Sequence, residues 1–395
     1  MNVVVDTDAP DVFAVQIPTR DHACGQAPAV ARIPLLDHPS AQATGWIPAP
    51  RAGRLDVWIA RIRAAVEAAG IDARPLLRFV DIAREERRDD RSLATWATVT
   101  RRRFERAPQG GVPVLELPVS GILETRAWAA FVASVVQADI RFIEAYNAAL
   151  AAFRVRHRTR SAAQPFPDLM RDEAGRWEAP FWIIDGGQRR TATFEDLAVV
   201  PASTVAPKAV TLSLFVRSSL ADLAIHGMGG HRYDEVTDDV ALALGIGPLA
   251  PRVATTADVH LAWGADLPAE RRPASAVLED MDRVKHHPED WIDHPALDEG
   301  VREASGRLLE EKAALVVRIS EPDADRKSVG LRIKELNAEL ASMLEPVSAS
   351  LREELAIVET SDAIERTLLT RSFSYPVFDP AELTAFLEGA FTESL

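Results

Sequence analysis

Apolar residues recur at helical spacing in several segments of the chain. Between residues 54 and 70, five of them share one face of a helix: Leu55, Trp58, Ile59, Ile62 and Val66. Gly70 follows, and glycine is the residue best suited to the left-handed conformation that ends many helices. More highly charged patterns predict further helices over about 74–88, 92–106 and 124–157.

Short apolar runs predict strands in three further places. The first fifty residues are rich in Pro, Asp and Ala and contain one such run, Asp11–Ile17, so we expect a loosely structured lead-in with one strand. Val112–Val119 is apolar and has glycines on both sides, which is typical of a buried strand. Trp177–Gln188 runs into a Gly-Gly pair and is followed by Arg190–Phe194, which predicts a β-hairpin.

Helix and strand signals alternate in the middle of the chain. An apolar helix over about Val210–Leu220 precedes an apolar strand ending at His226, and the glycine cluster Gly227-Met228-Gly229-Gly230 comes next. The pattern over His231–Leu244 predicts another helix, and Val259–Trp263 predicts a strand. Helix, strand, glycine-rich turn, helix and strand in this order are typical of an open α/β sheet.

The chain from Pro295 onward has an almost purely helical pattern. Eight apolar residues, here called the seam, repeat there at spacings of three and four: Ile333, Leu336, Leu340, Met343, Val347, Leu351, Leu355 and Val358. Glu345-Pro346 interrupts the seam, so we expect a kink or a hairpin bend. Either the helices of residues 298–320 or a second subunit must cover the seam, and we expect an intrachain hairpin for part of it and a homodimer through the C-terminal helices for the rest.

The most informative segment for chemistry is Asp222–Asp234. Three glycines in four positions at a strand-to-helix junction let the backbone approach a ligand, and N–H groups at a helix start bind phosphate or carboxylate. Histidines and charged residues accompany them as proton carriers and donors. We therefore expect catalytic roles for His226, His231 and Asp234, and substrate contacts from Gly227, Gly229, Gly230, Arg232 and Tyr233. The alternative is a glycine-rich turn that serves tight packing alone.

A metal site is a second chemical interpretation of this segment. His226, His231 and Asp234 could supply three of the four ligands of a zinc or iron ion. Four residues separate the two histidines, which is not the spacing that places a pair on one face of a helical zinc site, so no metal is predicted. A nucleotide is compatible with the glycine cluster, but the sequence leaves the cofactor unknown.

Net charge argues against nucleic acid as a partner. The formal charge is −14, and residues 201–395 hold 19 basic against 34 acidic side chains (−15), whereas residues 1–200 hold 26 against 25 (+1). An acidic surface repels phosphate backbones.

Cysteine content and hydropathy indicate where the chain works. Cys24 is the single cysteine and forms no intrachain disulfide, which predicts a reducing cytoplasm. No apolar run reaches the ~18 residues of a membrane span, so no membrane partner is expected. The start of the chain lacks the basic and apolar regions of a secretory signal. The excess of Arg over Lys indicates a GC-rich bacterial genome.

The order of these features resembles the C-terminal part of the bacillithiol-biosynthesis cysteine-adding enzymes. The matching positions are Leu220–His226, Gly229-Gly230 with Tyr233, and Pro251-Arg252-Val253-Ala254-Thr255, followed by the long helical region. The hairpin of residues 177–194 falls where that family has a strand pair. The proteins of that family have a Rossmann-like core with a coiled-coil extension. They are assigned as ligases that join cysteine to an amino-sugar malate conjugate, and the resemblance implies the same fold here.

The resemblance implies a fold class and one more site residue. It implies an α/β protein with a Rossmann-like core over 51–295, helical N-terminal elements, a helical coiled-coil or hairpin region over 296–370, and a C-terminal segment, 371–395, that folds back on the core. It also implies that the glycine cluster lies at the carboxyl edge of the sheet and that Arg252 enters from the next strand to contact substrate. The family's Gly-Gly-Pro-Gly-Glu loop is replaced here by Gly-Gly-His-Arg-Tyr.

We therefore expect a cytoplasmic enzyme that acts on a small anionic metabolite as an amide-forming ligase or transferase. Two alternatives stay open. One is a non-catalytic, dimeric binding or scaffold protein, and the other is a metal-dependent hydrolase that uses His226, His231 and Asp234.

Overall fold

Helices form most of the chain in the computed structural model, and the strands form several small sheets, so the fold is mixed α/β. The structure describes residues 1–10, 13–21, 27–36, 40–70, 73–106, 114–161, 163–259, 271–370 and 372–392. Cys24, most of the predicted strand Val259–Trp263 and the first part of the predicted strand Val112–Val119 lie outside the described residues.

The strands in the described residues are β1 (Asn2–Val4), β2 (Phe13–Asp21), β3 (Ala27–Leu36), β4 (Glu116–Pro118), β5 (Glu178–Asp185), β6 (Gln188–Thr193), β7 (Val205–Pro207), β8 (Ala224–His226) and β9 (Arg252–Ala254). The N-terminal half of the chain contains the helices α1 (Ala52–Ala69), α2 (Arg74–Glu85), α3 (Leu93–Arg106), α4 (Val119–Leu123), α5 (Arg126–Ala138), α6 (Ile140–Arg156) and α7 (Phe194–Leu197). The remainder contains α8 (Ala209–Ser219), α9 (Met228–Tyr233), α10 (Glu235–Leu244), α11 (Ala274–His286), α12 (Glu299–Arg318), α13 (Arg326–Met343), α14 (Glu345–Leu368) and α15 (Pro380–Thr392).

The chain divides into two compact units. Unit 1 comprises Met1–Thr19, Val30–Val259 and Arg371–Leu395, and unit 2 comprises Arg20–Ala29 and His260–Thr370. These boundaries differ from the expected ones at residues 50 and 295. The difference arises because β1 pairs with β4 inside unit 1, while α11 packs on α14 inside unit 2.

The described part of the first fifty residues contains three strands, whereas the sequence pattern predicted one. β2 pairs with β3, and β1 pairs in parallel with β4 so that Asn2 lies opposite Glu116. The pattern missed the β1–β4 pair because its two strands are more than one hundred residues apart and leave no local periodicity.

The predicted hairpin is confirmed as β5 and β6 in a three-stranded antiparallel sheet of order β6-β5-β7. Gly186 and Gly187 form its turn with φ of 55° and 86°, values that favour glycine. A Cβ at Gly187 would lie 2.5 Å from the Cβ of Trp46. The pairs β1–β4 and β8–β9 are parallel, and each is three residues long.

Most helix predictions in unit 1 are confirmed, with two differences. α1 ends at Gly70, whose φ of 63° is left-handed, as its position predicted. The long helix expected over 124–157 is divided into α5 and α6, because Asp139 adopts a φ of 42° that no helix continues through. The helix expected over His231–Leu244 is likewise divided, at Asp234.

Aromatic packing organises the core of unit 1. Trp128 lies edge-on against Phe215 and Phe181, with ring centroids 5.0 and 5.9 Å apart. Its Nε1 donates a hydrogen bond to the carbonyl oxygen of Val205 at 2.9 Å, so the buried indole N–H is satisfied. This packing fixes α8, which carries Phe215, against β5 and β7.

The seam lies inside unit 2. Leu336, Leu340, Val347 and Leu351 are at most 2% exposed, and α11 covers Val347 and Leu351 through Val277 and Val284. A break at Glu345-Pro346 is confirmed, and Leu344 alone separates α13 from α14 with nearly helical φ and ψ of −86° and 13°, so the break is a kink rather than a hairpin. The seam residues that are buried here offer no apolar face to a second subunit.

The C-terminal segment contacts the N-terminal strands of unit 1. The backbone N–H of Ser374 donates to the carbonyl of Gln16 at 2.9 Å, and Ser374 Oγ accepts from the N–H of Gln16 at 3.0 Å. The Tyr375 ring packs edge-on against Phe104. None of the helices in the described residues is long and apolar enough to cross a membrane.

Candidate functional site

The segment singled out by the sequence forms a small parallel βαβ unit. β8 leads through Gly227 into α9 and α10, and the chain returns as β9, which pairs in parallel with β8 so that His226 lies opposite Ala254. The N–H of Thr255 donates to the carbonyl of His226 at 2.9 Å and extends the pairing. The strand-to-helix junction at the glycine cluster and the position of Arg252 on the next strand are therefore as expected.

The glycine cluster itself differs from the expectation. Gly227 is the residue before α9 with φ of −69°, and Gly229 and Gly230 lie within this six-residue helix without a positive φ. A Cβ at Gly229 would meet no atom within 4 Å, whereas one at Gly230 would lie 3.3 Å from His226 Nδ1. The cluster is thus helical backbone that leaves room for the His226 ring, and not a strained loop.

A cavity of about 760 Å³ lies beside this unit and is bordered by α8 on its other side. We call it the α8–β8 cavity. Most of its lining is apolar: Val3, Phe166, Val210, Leu212, Val216 and Ile225. Its polar lining includes Ser213, Arg217, His226, Tyr233, Asp234 and Thr237. An apolar cavity of this size with a few convergent polar groups has the usual properties of a small-molecule site.

His226 is the last residue of β8 and its ring lies in the cavity wall. Its Nε2 is 3.5 Å from Asp234 Oδ2, close enough for an ion pair when the ring is protonated, but the geometry is not that of a hydrogen bond. Nε2 is therefore a buried polar atom without a hydrogen-bond partner in the described residues, and Ser213 Oγ is another. Both atoms can accept or donate a hydrogen bond to a ligand.

Asp234 belongs to a network of ion pairs with two arginines. Arg217 Nη1 lies 2.6 Å from Asp234 Oδ2, and its Nη2 lies 2.8 Å from Asp238. Arg252 Nη2 pairs with Asp238 at 2.8 Å, and its Nη1 donates to the carbonyl of His231. Two arginines and two aspartates thus neutralise each other next to the cavity, and Arg252 is part of this network.

The same network argues against a metal at Asp234. Two guanidinium groups beside the carboxylate repel a divalent cation, and His231 is not part of the cavity lining. In the described part of the chain, no three His, Cys, Asp or Glu side chains are grouped so that they could hold a metal ion.

The remaining candidates have other contacts. Arg232 is exposed, and its Nε donates to His157 Nδ1 at 3.1 Å, which leaves the other ring nitrogen of His157 to bond Glu235 at 2.8 Å. His231 has a buried Nδ1 without a partner in the described residues but lies away from the cavity lining. The Tyr233 ring borders the cavity and packs edge-on against Phe153 and Phe166.

The structure therefore brings four of the predicted residues to one cavity: His226, Gly230, Tyr233 and Asp234. The other five, Gly227, Gly229, His231, Arg232 and Arg252, are not part of its lining. Sequence reasoning missed Ser213 and Arg217. The sequence could have indicated Arg217, because it is the only charged residue in the apolar helix α8 and such a residue needs a buried partner. Nothing in the sequence distinguishes Ser213 from other serines.

The chain matches no known family model and none of the curated proteins with which it was compared.

Proposed function

We propose that the chain is an enzyme that binds a small metabolite in the α8–β8 cavity and moves a proton through His226. The observation that carries this proposal is the unpaired Nε2 of His226 in the wall of a cavity of about 760 Å³. An unsatisfied buried polar atom costs ~1–3 kcal/mol, and such atoms are typical of sites that bind or react. Imidazole is also the side chain that transfers protons most readily near neutral pH.

The position of His226 in the βαβ unit supports the same site. Ligands of open parallel sheets bind beyond the carboxyl ends of the strands, and His226 is the carboxyl end of β8. We propose that β8, α9, α10 and β9 are part of a Rossmann-like arrangement, although the described parallel pairs are short.

We propose a ligase or transferase reaction that forms an amide-type bond. Support comes from the order of strand, glycine-rich segment, helix and Arg252-bearing strand, in which the chain resembles the cysteine-adding enzymes. The amine nitrogen would bond to an acyl carbon that ATP or a carrier has activated, the bond from that carbon to the activating group would break and release it, and His226 would accept the proton that the amine loses. The negative charge of a substrate must be small, because Arg217 and Arg252 are already neutralised by Asp234 and Asp238. A cytoplasmic location and a bacterial source stay predictions.

A thermal-shift screen tests the binding part of this proposal. The panel contains straight-chain carboxylic acids, amino acids, amino sugars and nucleotides, and a ligand at 100 times its Kd adds ~2.7 kcal/mol of stability. We expect at least one compound to raise the Tm of the wild type and of Leu242→Trp, a surface control on α10 at an 83% exposed site. The same compound should leave Val216→Trp unchanged, because the indole fills the cavity. No shift by any compound, or an equal shift in Val216→Trp, contradicts the proposal.

Turnover tests the catalytic part. The compound that binds is incubated with cysteine and ATP, and the condensation product is detected by mass spectrometry. His226→Asn should reduce the rate of product formation much more than the affinity, because Asn hydrogen-bonds but does not titrate near neutral pH. An unchanged rate in this variant removes His226 from the reaction.

A further inference from the structure

The wall of the α8–β8 cavity is aliphatic on two sides. α8 contributes Val210, Leu212 and Val216, and the segment that includes β8 contributes Leu223 and Ile225. Leu223 and Ile225 are 50% and 67% exposed. A ligand with an aliphatic body that covers these side chains removes apolar surface from water, which is favourable in proportion to the area covered.

Two polar atoms without a hydrogen-bond partner in the described residues belong to residues of this largely aliphatic lining. Ser213 Oγ and His226 Nε2 are buried and make no hydrogen bond to other described residues. Ser213 lies between Leu212 and Leu214 in an otherwise apolar stretch of α8. A hydroxyl donates to carbonyl or carboxylate oxygens, so Ser213 can bind the oxygen of a ligand.

The charged groups next to the cavity limit the charge that the polar end of the ligand, its head, can carry. Arg217 is 5% exposed, and its Nε, Nη1 and Nη2 already donate to the Ala250 carbonyl, Asp234 and Asp238. The two arginines and two aspartates carry no net charge, and the cavity lining adds the carboxylate of Asp222 and the N-terminal residue Met1. A neutral or singly charged head therefore suits the site better than a phosphate with two charges.

These observations point to one ligand class. We infer that the cavity binds an aliphatic acyl group whose carbonyl or carboxylate oxygen accepts a hydrogen bond from Ser213 and lies beside His226. This inference rests on the proposed function and names the substrate class of that site. The aliphatic chain lies against α8 and the β8 segment, and the head lies at the end of β8.

Calorimetric titration with straight-chain carboxylates tests the aliphatic part. Each added methylene contributes ~0.8 kcal/mol when buried, which is about a fourfold gain in affinity. We expect this gain from butanoate upward until the cavity is full, and its absence in Val216→Trp. Affinity that does not depend on chain length overturns the inference.

Two serine variants test the hydrogen bond to the head of the ligand. Ser213→Ala should weaken octanoate binding about tenfold or more, because hydrogen bonds to charged groups are worth ~1.5–3 kcal/mol. Ser218→Ala is the matched control, since Ser218 is exposed on the same helix and bonds to the Phe215 carbonyl. Equal affinities in the two variants overturn the role of Ser213.

The outcomes separate this inference from the proposal on which it rests. If carboxylates do not bind but another class in the thermal-shift panel does, and Val216→Trp abolishes that binding, the acyl inference is overturned and the proposed function stands. If no compound of the panel binds, both are overturned.

Discussion

Arg217 and Asp234 form an ion pair that is almost completely withdrawn from solvent. Arg217 Nη1 lies 2.6 Å from Asp234 Oδ2, and the two side chains are 5% and 4% exposed. The pair joins the last turn of α8 to the junction between α9 and α10. It thereby fixes the distance between the two sides of the α8–β8 cavity and holds the carboxylate beside His226.

Removing one partner of this pair should destabilise unit 1 strongly. Arg217→Met leaves Asp234 charged in a buried position, and breaking a buried pair in this way costs ~3–5 kcal/mol. Arg156→Met is the control, because Arg156 is 44% exposed in its pair with Asp239, and an exposed pair contributes ~0.2–1 kcal/mol. Urea unfolding followed by tryptophan fluorescence measures both. Similar losses in the two variants would show that burial of the Arg217 pair has no energetic consequence.

Gly229 and Gly230 should respond differently to alanine. Gly229 is in a helix with open space around its Cα, so Gly229→Ala should stabilise the fold by ~1 kcal/mol through helix propensity. Gly230→Ala places a methyl group 3.3 Å from His226 Nδ1 and should move the ring resonances of His226 in a histidine NMR spectrum. Destabilisation by Gly229→Ala would contradict the helical backbone at this position.

The capping box at the start of α7 should give stability that depends on pH. A bidentate hydrogen bond from Arg190 holds the pKa of the Asp196 carboxyl well below its ordinary value of 3.8, and hydrogen bonds from Thr193 lower it further, while burial opposes them. A pKa lowered by folding means that Asp196 stabilises the native state above pH 3.8 and loses this effect as the pH falls below that value.

The matching experiment compares Asp196→Asn with Glu195→Gln, an exposed neighbour in the same helix. At pH 7, Asp196→Asn should cost ~1 kcal/mol of unfolding free energy, as other lost caps do. The difference from wild type should shrink as the pH falls below 3.8. A cost that stays constant with pH would mean that the charge of Asp196 does not contribute.

Local signals predicted the parts of the fold that depend on neighbours in sequence. Gly70 and Gly245 end their helices in the left-handed conformation, and Gly186 and Gly187 close a hairpin, because each requirement acts within a few residues. The pairing of β1 with β4 could not be predicted, since it joins residues more than one hundred positions apart in the chain. The positive φ of Asp139, which divides α5 from α6, had no signal in composition.

For the candidate site, the sequence indicated a segment of the chain but not the contacts that each of its side chains makes. Four residues of the predicted segment 222–234 line one cavity, namely His226, Gly230, Tyr233 and Asp234. The substrate contacts expected of Arg232 and Arg252 stay predictions, and in the structure Arg232 binds His157 and Arg252 binds Asp238. Whether a guanidinium faces a ligand or a carboxylate depends on tertiary partners, and residue type alone does not decide it.

The seam should behave as the core of unit 2. Leu340 is completely buried and Leu331, on the same helix, is 59% exposed. Leu340→Ala should cost ~2–5 kcal/mol, whereas Leu331→Ala should stay within ~0.5 kcal/mol of wild type. Urea unfolding followed by circular dichroism, combined with sedimentation, measures stability and mass together. Dissociation of a dimer into folded monomers by Leu340→Ala would instead place the seam between subunits.

The measurement that tests the account most directly is a histidine-selective NMR titration of the whole chain, with each compound of the thermal-shift panel and octanoate first. If the α8–β8 cavity is the ligand site, at least one compound will shift the ring resonances of His226 in a saturable way and leave those of His294 in unit 2 unchanged. Val216→Trp will abolish the shift. A ligand that binds the chain without moving His226, or that moves it equally in Val216→Trp, would contradict the central claim.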